Sequence, residues 1–450
     1  MIQLTLGQIA SVLNTDTPSA TTAFQGISID TRTLEPGNLF IAIRGENLDG
    51  HDYIEEAQKK GAVAAVISRE IPTSLPKLLV KDTTKALGEI GSYWRNQFDI
   101  NVVAVTGSNG KTTLKNMIAQ IMIAACHGDE KQVLATQGTL NNHWGLPMTL
   151  ARLGKEHHYA AIEMGMNHFG EIDYLTNLTR PNVAVITNAG ASHLEGVGDV
   201  SGVARAKAEI FSGLQQNGIA VLNRDDAFYT FWHGVIGNRK FITFGFHPEA
   251  NVKAIIHHAG KSQQIMLQTP KGDIEVNLPL LGKHNVLNAL AATAAAIAAG
   301  IPLDAIKHGL EQVKPAKGRL ELHTLANGVN IIDDTYNANP FSLQAAINIL
   351  AAFPGKKILV LGDMKELGNE AKELHHSAGQ AIRAAGIDYL FTFGDLSATT
   401  SQAFGEGAWH FDDQQKLVDA LKPFLKDATT ILVKGSRSMR MEKIIHSLVT

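Results

Sequence analysis

A Gly-Lys-Thr turn between an apolar run and a helical segment is the feature that most constrains this chain. Residues 102–105 are four consecutive apolar residues, Val-Val-Ala-Val, and predict a buried strand. The turn Thr106-Gly-Ser-Asn-Gly-Lys-Thr-Thr113 follows, and residues 112–125 predict a helix. Backbone N–H groups and the helix dipole at such a helix N-terminus favour negatively charged phosphate. The layout therefore predicts a phosphate-binding loop within an α/β domain.

The loop supplies the candidates for nucleotide binding: Gly107, Ser108, Asn109, Gly110, Lys111, Thr112 and Thr113. In this motif the lysine reaches the outer phosphates and the hydroxyl that follows it holds Mg²⁺, which predicts these roles for Lys111 and for Thr112 or Thr113. The match is incomplete, because Val105 stands where the general motif has its first glycine. An ordinary strand-to-helix turn is the alternative, but the flanking strand and helix favour the phosphate-binding loop.

Composition limits the class of protein. The 450 residues exceed one compact core and predict about three domains. A net charge of -3 gives no reason to expect binding to nucleic acid or to a membrane surface. The single cysteine, Cys126, excludes an internal disulfide framework and fits a reducing compartment. Residues 1–14 lack the features of a signal peptide, and the Ala-rich run 289–299 is too short to span a bilayer and predicts a buried helix.

Residues 1–81 predict a small α/β domain. Its helices and strands are expected over residues 5–13, 39–43, 54–60 and 62–67. A polar cluster within it contains Ser28, Asp30, Thr31 and Arg32. Turn chemistry explains these residues as well as ligand binding does, so both interpretations stay open.

Residues 82–314 predict a large α/β domain around the phosphate loop. The run 159–163 predicts a strand that ends in Glu163, and the run 183–187 predicts a strand followed by a loop that contains His193. Ligands of open α/β sheets lie beyond the carboxyl ends of the strands, so we expect both side chains near the phosphate loop. They are candidate Mg²⁺ ligands, although either could instead cap a helix or bond a loop. Mg²⁺ prefers oxygen, which favours Glu163 over His193.

Two helices of this domain carry polar residues whose role the residues alone leave open. Residues 204–211 predict a helix that contains Lys207, which composition explains as a solvated or salt-bridged lysine. The Ala-rich helix begins near His284, Asn285 and Asn288, where polar side chains often only cap the helix.

Residues 315–450 predict a third domain with a parallel sheet. Four apolar strands separated by helical patterns are typical of βαβ units. These strands are expected over residues 329–332, 358–361, 389–393 and 431–433. Three of them are followed by polar loops, at residues 333–340, 362–368 and 434–440. Three such loops at one sheet edge favour a functional site there.

These loops and the phosphate loop together resemble the Mur ligases, the ATP-dependent amide-forming enzymes of peptidoglycan precursor synthesis. The resemblance covers nearly the whole chain, and its most specific stretch is Asp333-Asp-Thr-Tyr-Asn-Ala-Asn-Pro340. The other stretches are Leu361-Gly-Asp-Met-Lys-Glu-Leu-Gly368, Thr136-Gln-Gly-Thr-Leu-Asn-Asn142 and Gly145-Leu-Pro147. Within the family they are similar to the member that joins D-alanyl-D-alanine to UDP-N-acetylmuramoyl-tripeptide, whereas the phosphate loop alone identifies only the superfamily.

The resemblance implies an N-terminal domain (1–81) that grips the UDP end, a central ATPase domain (82–314) and a C-terminal Rossmann-like domain (315–450). It implies ATP and Mg²⁺ as cofactors and a monomer in the bacterial cytoplasm. It also implies that Lys111 and Thr112 bind phosphate and Mg²⁺. The same family places Glu163, His193 and Lys207 at the metal, with Lys207 as an anionic carbamate.

Further contacts are implied by the resemblance alone. The residues that match nucleotide-contacting positions are Asn288, Arg319 and Asp333. The residues implied in binding the UDP-peptide or the dipeptide are Ser28, Thr31, Arg32, Asn141, Asn142, Asn337 and Asn339. Two positions depart from the family pattern, because Thr139 stands where Asn is usual and Ala208 where Gly is usual.

Two alternatives stay open at this point. One is a three-domain ligase that acts at another peptide stage or on a folate glutamate tail. The other is a nucleotide-driven switch, in which hydrolysis powers motion and no acceptor is joined.

Overall fold

Three mainly parallel sheets, each covered on both faces by helices, form the computed structural model of this protein. The structure describes residues 1–17, 19–259, 262–426 and 428–449. This architecture confirms the predicted α/β class with three domains. Within these ranges, no helix combines the length and the apolar character that crossing a membrane requires.

The first domain has a four-stranded parallel sheet in the order β3-β4-β5-β6 and an antiparallel pair, β1 with β2. Its elements are β1 (Gln3–Thr5), α1 (Leu6–Val12), β2 (Ala23–Gln25), β3 (Ile27–Ser28), β4 (Leu39–Ile41), α2 (Ile54–Lys59), β5 (Ala64–Ile67), β6 (Lys77–Leu79) and α3 (Thr83–Arg95). Leu87 and Ile90 of α3 pack into the core of this sheet, while α3 also contacts helices of the second domain. The predicted boundary at residue 81 stays a prediction.

The second domain is built on the parallel sheet β12-β11-β10-β7-β9-β8. Its first elements are β7 (Asn101–Thr106), α4 (Lys111–Ala125), β8 (Val133–Ala135), α5 (Gly145–Leu150), β9 (Tyr159–Glu163), α6 (Glu171–Thr179), β10 (Val183–Ile186), α7 (Leu194–Val197), α8 (Val200–Ala208), β11 (Ile219–Asn223), α9 (Tyr229–Ile236) and β12 (Phe241–Phe244). From β7 the chain runs toward the β8 edge, and from β9 it crosses to β10 on the other side. The phosphate loop therefore lies at a switch point of the sheet, where ligands of such folds bind.

A three-stranded antiparallel sheet and two helices complete this domain. They are β13 (Lys253–Ala259), β14 (Gln263–Thr269), β15 (Gly272–Leu278), α10 (Lys283–Ala298) and α11 (Leu303–Glu311). Helix α10 buries most of its residues beside α4, which confirms the predicted buried Ala-rich helix. The antiparallel sheet was absent from the prediction, because its strands mix apolar residues with Gln, Asp and Glu.

The third domain has the sheet β16-β17-β21-β18-β19-β20. Its elements are β16 (Glu321–Thr324), β17 (Asn330–Asp334), α12 (Pro340–Ala351), β18 (Lys356–Gly362), α13 (Ala371–Ala384), β19 (Tyr389–Phe393), α14 (Ser397–Phe404), β20 (Ala408–Phe411), α15 (Gln414–Leu421), β21 (Thr429–Lys434) and α16 (Glu442–Val449). The four predicted strands are β17, β18, β19 and β21, and they pair in parallel as predicted. Two further strands were not predicted. The edge strand β16 pairs antiparallel with β17, and β20 adds a sixth strand.

Short 3₁₀ turns lie between these elements, at Gly50–Tyr53, Glu130–Gln132, Glu209–Phe211, Gly368–Glu370, Lys422–Phe424 and Arg437–Met439. One of them corrects the predicted helix over 204–211, since α8 ends at Ala208 and a 3₁₀ turn continues the chain to Phe211.

The centre of the third sheet allows a direct test of this packing. Leu432 lies on β21 between β17 and β18 and is fully buried. We expect Leu432→Ala to lower the free energy of unfolding by about 2–5 kcal/mol, because the truncation removes buried methyl groups and leaves a cavity. Urea unfolding followed by circular dichroism measures the change, and Leu48→Ala is the control because Leu48 is 66% exposed. Equal midpoints for the two variants would contradict the packing described.

Candidate active site

Close packing fixes the backbone of the phosphate loop at two glycines. Gly107 has φ +150°, and a Cβ atom there would lie 1.7 Å from Thr187 Oγ1. Gly110 precedes α4 with φ +84°, and a Cβ atom there would lie 2.5 Å from Asn288 Oδ1. Val105, the departure from the general motif, lies inside β7, so that position is a strand residue and needs no glycine.

The segment after β10 braces the loop through hydrogen bonds. The N–H of Asn109 donates to Asn188 Oδ1 at 3.0 Å, and Thr187 Oγ1 donates to the Asn109 carbonyl at 2.7 Å. Ser108 Oγ donates to the Gly190 carbonyl at 3.1 Å and accepts from the Gly190 N–H at 3.0 Å. The loop is therefore preorganised by the strand next to it.

Lys111 folds over this loop, and Arg319 of the third domain reaches the helix that follows. Lys111 Nζ donates to the carbonyls of Gly107 at 2.7 Å and Ser108 at 3.4 Å. Burial lowers the pKa of Lys111, Glu163 opposes that shift, and Arg319 adds to it. Arg319 donates to Thr112 Oγ1 at 3.3 Å. Two cations thus converge where phosphate oxygens are expected.

Glu163 ends β9 as a buried carboxylate with one engaged oxygen. Its Oε1 accepts from Asn141 Nδ2 at 2.8 Å, and its backbone N–H donates to Thr136 Oγ1 at 3.0 Å. Its Oε2 is buried and has no hydrogen-bond partner among the described residues. A buried carboxylate oxygen without a partner is costly unless a cation binds it, so the site fits a hard metal ion such as Mg²⁺.

His193 is a neutral imidazole beside two lysines. Burial, Lys111 and Lys207 lower the pKa of His193 to about 4. Its Nδ1 lies 3.4 Å from Oε2 of Glu366, a residue of the third domain. A neutral imidazole retains the lone pair that metal ligation requires.

Lys207 on α8 is only 2% exposed. Burial and the charge of Lys111 hold its pKa well below its usual range. Among the described residues, no carboxylate forms an ion pair with it, which contradicts the salt-bridged and solvated alternatives. Ala208, the departure from the family pattern, is the last residue of α8, is buried in the core and suits a helix.

The polar loops of the third domain meet the phosphate loop. Asn339 caps α12 by accepting from the Ser342 N–H, and its Nδ2 donates to Asn109 Oδ1 at 2.9 Å. Lys434, at the end of β21, donates to the Asn337 carbonyl at 3.0 Å and pairs with Asp334 at 2.5 Å. These loops therefore form the opposite wall of the site.

A cavity of about 830 Å³ lies between the second and third domains. The predicted residues that line it are Ser108, Asn109, Gly110, Lys111, Thr112, Thr113, Asn141, Asn142, Glu163, His193, Asn288, Arg319, Asn337 and Asn339. Gly107, within the loop, and Lys207, within α8, are not among the residues that line the cavity.

The acidic pair of β17 divides between the two faces of its sheet. Asp334 lines the cavity, whereas Asp333 Oδ1 accepts from the N–H and Oγ1 of Thr335 at 3.0 and 2.6 Å. Successive side chains of a strand point to opposite faces of the sheet. The two carboxylates therefore face different surroundings. The assignment of Asp333 to the nucleotide stays a prediction.

Three predicted substrate contacts lie in the first domain, outside this cavity. Ser28 is buried, and its Oγ donates to the Asp30 carbonyl at 2.9 Å. The carbonyl of Thr31 accepts from Lys60 Nζ at 2.8 Å, and Arg32 is an exposed guanidinium paired with Asp30 at 2.6 Å. The hydrogen bonds of a turn are therefore present, as one of the two interpretations expected, and the Arg32 side chain remains exposed to solvent.

The sequence did not identify every side chain of the site. Asp334, Lys434, Tyr336 and Glu366 line the cavity and were not among the candidates. Each lies in one of the polar loops that the sequence analysis named, at residues 333–340, 362–368 and 434–440. The sequence pattern therefore identified the segments but not these individual side chains. Tyr336 carries the Arg319 guanidinium over its ring, with 4.1 Å between the guanidinium carbon and the ring centroid.

The phosphate-binding loop faces the polar loops of another domain across one cavity. This arrangement is typical of nucleotide-dependent ligases with three α/β domains. Three family models match the chain in order. They are "Mur ligase family, catalytic domain" over residues 23–95, "Mur ligase middle domain" over 105–296 and "Mur ligase, glutamate ligase domain" over 318–437.

Individual relatives agree with these models. The chain is 45% identical to the UDP-N-acetylmuramoyl-tripeptide–D-alanyl-D-alanine ligase of Escherichia coli K12, over 100% of this chain and 99% of the relative. A crystal structure of MurF from Acinetobacter baumannii is similar with a TM-score of 0.94 and 34% identity, covering 100% of this chain and 99% of that chain. MurF ligase from Thermotoga maritima in complex with ADP has a TM-score of 0.84 and 28% identity, covering 94% and 96%. This chain belongs to the Mur ligase family, which confirms the resemblance in its sequence.

A second histidine, His284, also lines the cavity and predicts that the free energy of unfolding depends on pH. Burial and the charge of Lys434 lower the pKa of His284 to about 4, whereas an unfolded histidine titrates near ~6.5. Between these values the unfolded chain binds a proton that the folded chain does not, so the stabilisation is lost as the pH falls from ~6.5 toward ~4. We expect this loss to reach up to about 3 kcal/mol and to be absent in His284→Asn.

Urea unfolding at a series of pH values measures this effect as the difference between wild type and His284→Asn. His308→Asn is the control, since His308 is exposed. Parallel pH profiles for wild type and His284→Asn would contradict the assignment.

Proposed function

We propose that this protein uses ATP to join D-alanyl-D-alanine to UDP-N-acetylmuramoyl-tripeptide, with release of ADP and phosphate, in peptidoglycan precursor synthesis. The observation that carries the proposal is the shared cavity, onto which the phosphate loop and the polar loops of the third domain both open. The named relative at 45% identity along the whole chain supports the choice of substrates.

The chemistry requires activation, because a carboxylate and an amine do not condense in water. The γ-phosphoryl group of ATP is transferred to a carboxylate oxygen of the tripeptide, which gives an acyl phosphate and ADP. The neutral amine of the dipeptide then attacks the carbonyl carbon. Phosphate leaves from the tetrahedral intermediate and keeps the former carboxylate oxygen. Positioning and charge neutralisation supply most of the catalysis of phosphoryl transfer.

The residues of the phosphate loop hold the nucleotide in this proposal. The backbone N–H groups of residues 107–113 and the Lys111 ammonium bind the phosphates, while Asn288, Arg319 and Asp333 contact the rest of the nucleotide. Arg319 already lies 3.3 Å from Thr112 Oγ1, so it brings the third domain to the phosphate site.

Thr112, Glu163 and His193 would hold Mg²⁺. The buried Glu163 Oε2 without a hydrogen-bond partner and the neutral His193 support this assignment. When bound, Mg²⁺ neutralises phosphate charge and orients the transferred group.

Lys207 acts in this proposal as a carbamate. Its lowered pKa favours the neutral amine, which adds to CO₂ by forming an N–C bond and releasing a proton. The product carries two oxygens and a negative charge, which suits a second Mg²⁺ better than an ammonium does.

The remaining candidates bind the acceptor substrates. Ser28, Thr31 and Arg32 grip the UDP end, because the nucleotide and acceptor chemistry are assigned to the other two domains. The peptide and the dipeptide are contacted by Asn141, Asn142, Asn337 and Asn339. The site draws on two domains, so we propose closure around the substrates before chemistry. The proposal includes a monomer of the bacterial cytoplasm, where ATP is available.

One assay separates this proposal from its alternatives. Phosphate release is measured with ATP, UDP-N-acetylmuramoyl-tripeptide and D-alanyl-D-alanine together and with each one omitted. We expect release only when all three are present. Phosphate release without an acceptor would instead support a nucleotide-driven switch, and activity with another UDP-peptide or a folate would support another ligase.

Lys111→Ala tests the phosphate loop. The ammonium faces charge that develops on the phosphates, so we expect ligation to fall by at least about 10²–10³-fold while the fold persists. Ligation rate and circular dichroism are the measurements, and Lys131→Ala is the control because Lys131 is exposed. Near-normal turnover of Lys111→Ala with an unchanged spectrum would refute the role.

Lys207→Ala tests the carbamate. We expect the variant to lose ligation and formate or acetate to restore part of it, because the added acid supplies the missing carboxylate oxygens. Chloride at equal ionic strength is the control for the added salt. Near-wild-type ligation by the alanine variant would exclude the carbamate.

A further inference from the structure

A rigid loop of the third domain presents one carboxylate to the phosphate site. The loop comprises residues 363–367 and directly follows β18. Asp363 Oδ1 accepts from the Ser397 N–H at 2.8 Å, and the Lys365 N–H donates to Ser436 Oγ at 2.8 Å. Two separate segments of the domain therefore anchor the start of the loop.

A buried histidine and two apolar side chains hold the remainder of the loop 363–367 in place. His375 donates from Nδ1 to the Ala371 carbonyl at 2.7 Å, which leaves Nε2 to accept from the Met364 N–H at 3.0 Å. Met364 and Leu367 are both buried in the domain core. Glu366 lies between them with its side chain 63% exposed, so the anchored loop projects this carboxylate toward the cavity.

The carboxylate meets His193 of the second domain. Glu366 Oε2 lies 3.4 Å from His193 Nδ1, and within the described ranges neither side chain forms another ion pair. Both residues have left-handed backbones, with φ +63° at Glu366 and +55° at His193. Such a conformation costs a non-glycine residue about 1–3 kcal/mol and persists where the surrounding structure imposes it, often at functional sites. Two such residues facing each other across a domain boundary indicate a functional contact.

The contact between Glu366 and His193 matches the way in which carboxylates orient metal-binding histidines. A histidine that binds a metal through one ring nitrogen usually donates its other N–H to a carboxylate or carbonyl, which fixes the tautomer and the orientation of the ring. We propose that Glu366 is a positioning residue, which accepts the Nδ1–H of His193 and holds Nε2 toward the metal. This inference rests on the proposed function. It means that the metal site is complete only when the third domain is closed against the second.

Metal binding to the full-length protein tests the proposal without requiring ligation. Mn²⁺ affinity is measured by electron paramagnetic resonance in the presence of a non-hydrolysable ATP analogue. We expect Glu366→Ala to weaken Mn²⁺ binding by about 10- to 100-fold, as for other partners of metal-binding histidines. Glu366→Gln should retain most of the affinity, because its amide oxygen can still accept the hydrogen bond. Glu370→Ala is the matched control, an exposed glutamate four residues away.

A double-mutant cycle separates positioning from direct ligation. If Glu366 acts through His193, the His193→Ala/Glu366→Ala variant should bind Mn²⁺ no more weakly than His193→Ala does. Unchanged affinity in Glu366→Ala, or an equal loss in both backgrounds, would overturn the proposal. Wild-type protein that binds no Mn²⁺ would overturn it together with the proposed metal site. Failure of ligation with the coupling intact would count only against the proposed substrates.

Discussion

The close approach of the phosphate loop to its neighbours is the constraint on which the site depends. Gly107 lies against Thr187 and Gly110 against Asn288, at distances that exclude any side chain. These two contacts fix the position at which α4 begins. They therefore fix the direction in which the free N–H groups at the start of α4 point. The same packing places the loop at the switch point of the central sheet, beside the end of β9 and Glu163. The site is thus a consequence of backbone packing before any catalytic side chain is added.

Cations from two domains lie close enough to this loop to lower one another's pKa. Lys111 and Lys207 each contribute to the lowered pKa of His193, and Lys111 contributes to that of Lys207. Arg319 adds to the lowered pKa of Lys111 from the third domain. Polyphosphate and bound metal would balance these charges in the proposed reaction. In the proposed reaction, the phosphates of the nucleotide would compensate cations contributed by two domains, which would favour the proposed closure.

Local sequence patterns predicted the strands and helices around the phosphate loop, but they did not predict the contacts between domains. Strand Tyr159–Glu163 was predicted with its observed limits because it is an apolar run that stops at a carboxylate. Strand Glu321–Thr324 was missed because an edge strand of Glu-Leu-His-Thr carries one large apolar residue. The contact of Glu366 with His193 has no local signal, because it depends on the arrangement of two domains.

Transfer of oxygen from the peptide to phosphate tests the central claim of an acyl phosphate most directly. The measurement uses UDP-N-acetylmuramoyl-tripeptide with ¹⁸O in its terminal carboxylate, together with unlabelled ATP and D-alanyl-D-alanine, and analyses the released phosphate by mass spectrometry. The account predicts one ¹⁸O atom in each phosphate, because the carboxylate oxygen that accepts the phosphoryl group leaves with it. Unlabelled phosphate formed along with the amide product would contradict the account.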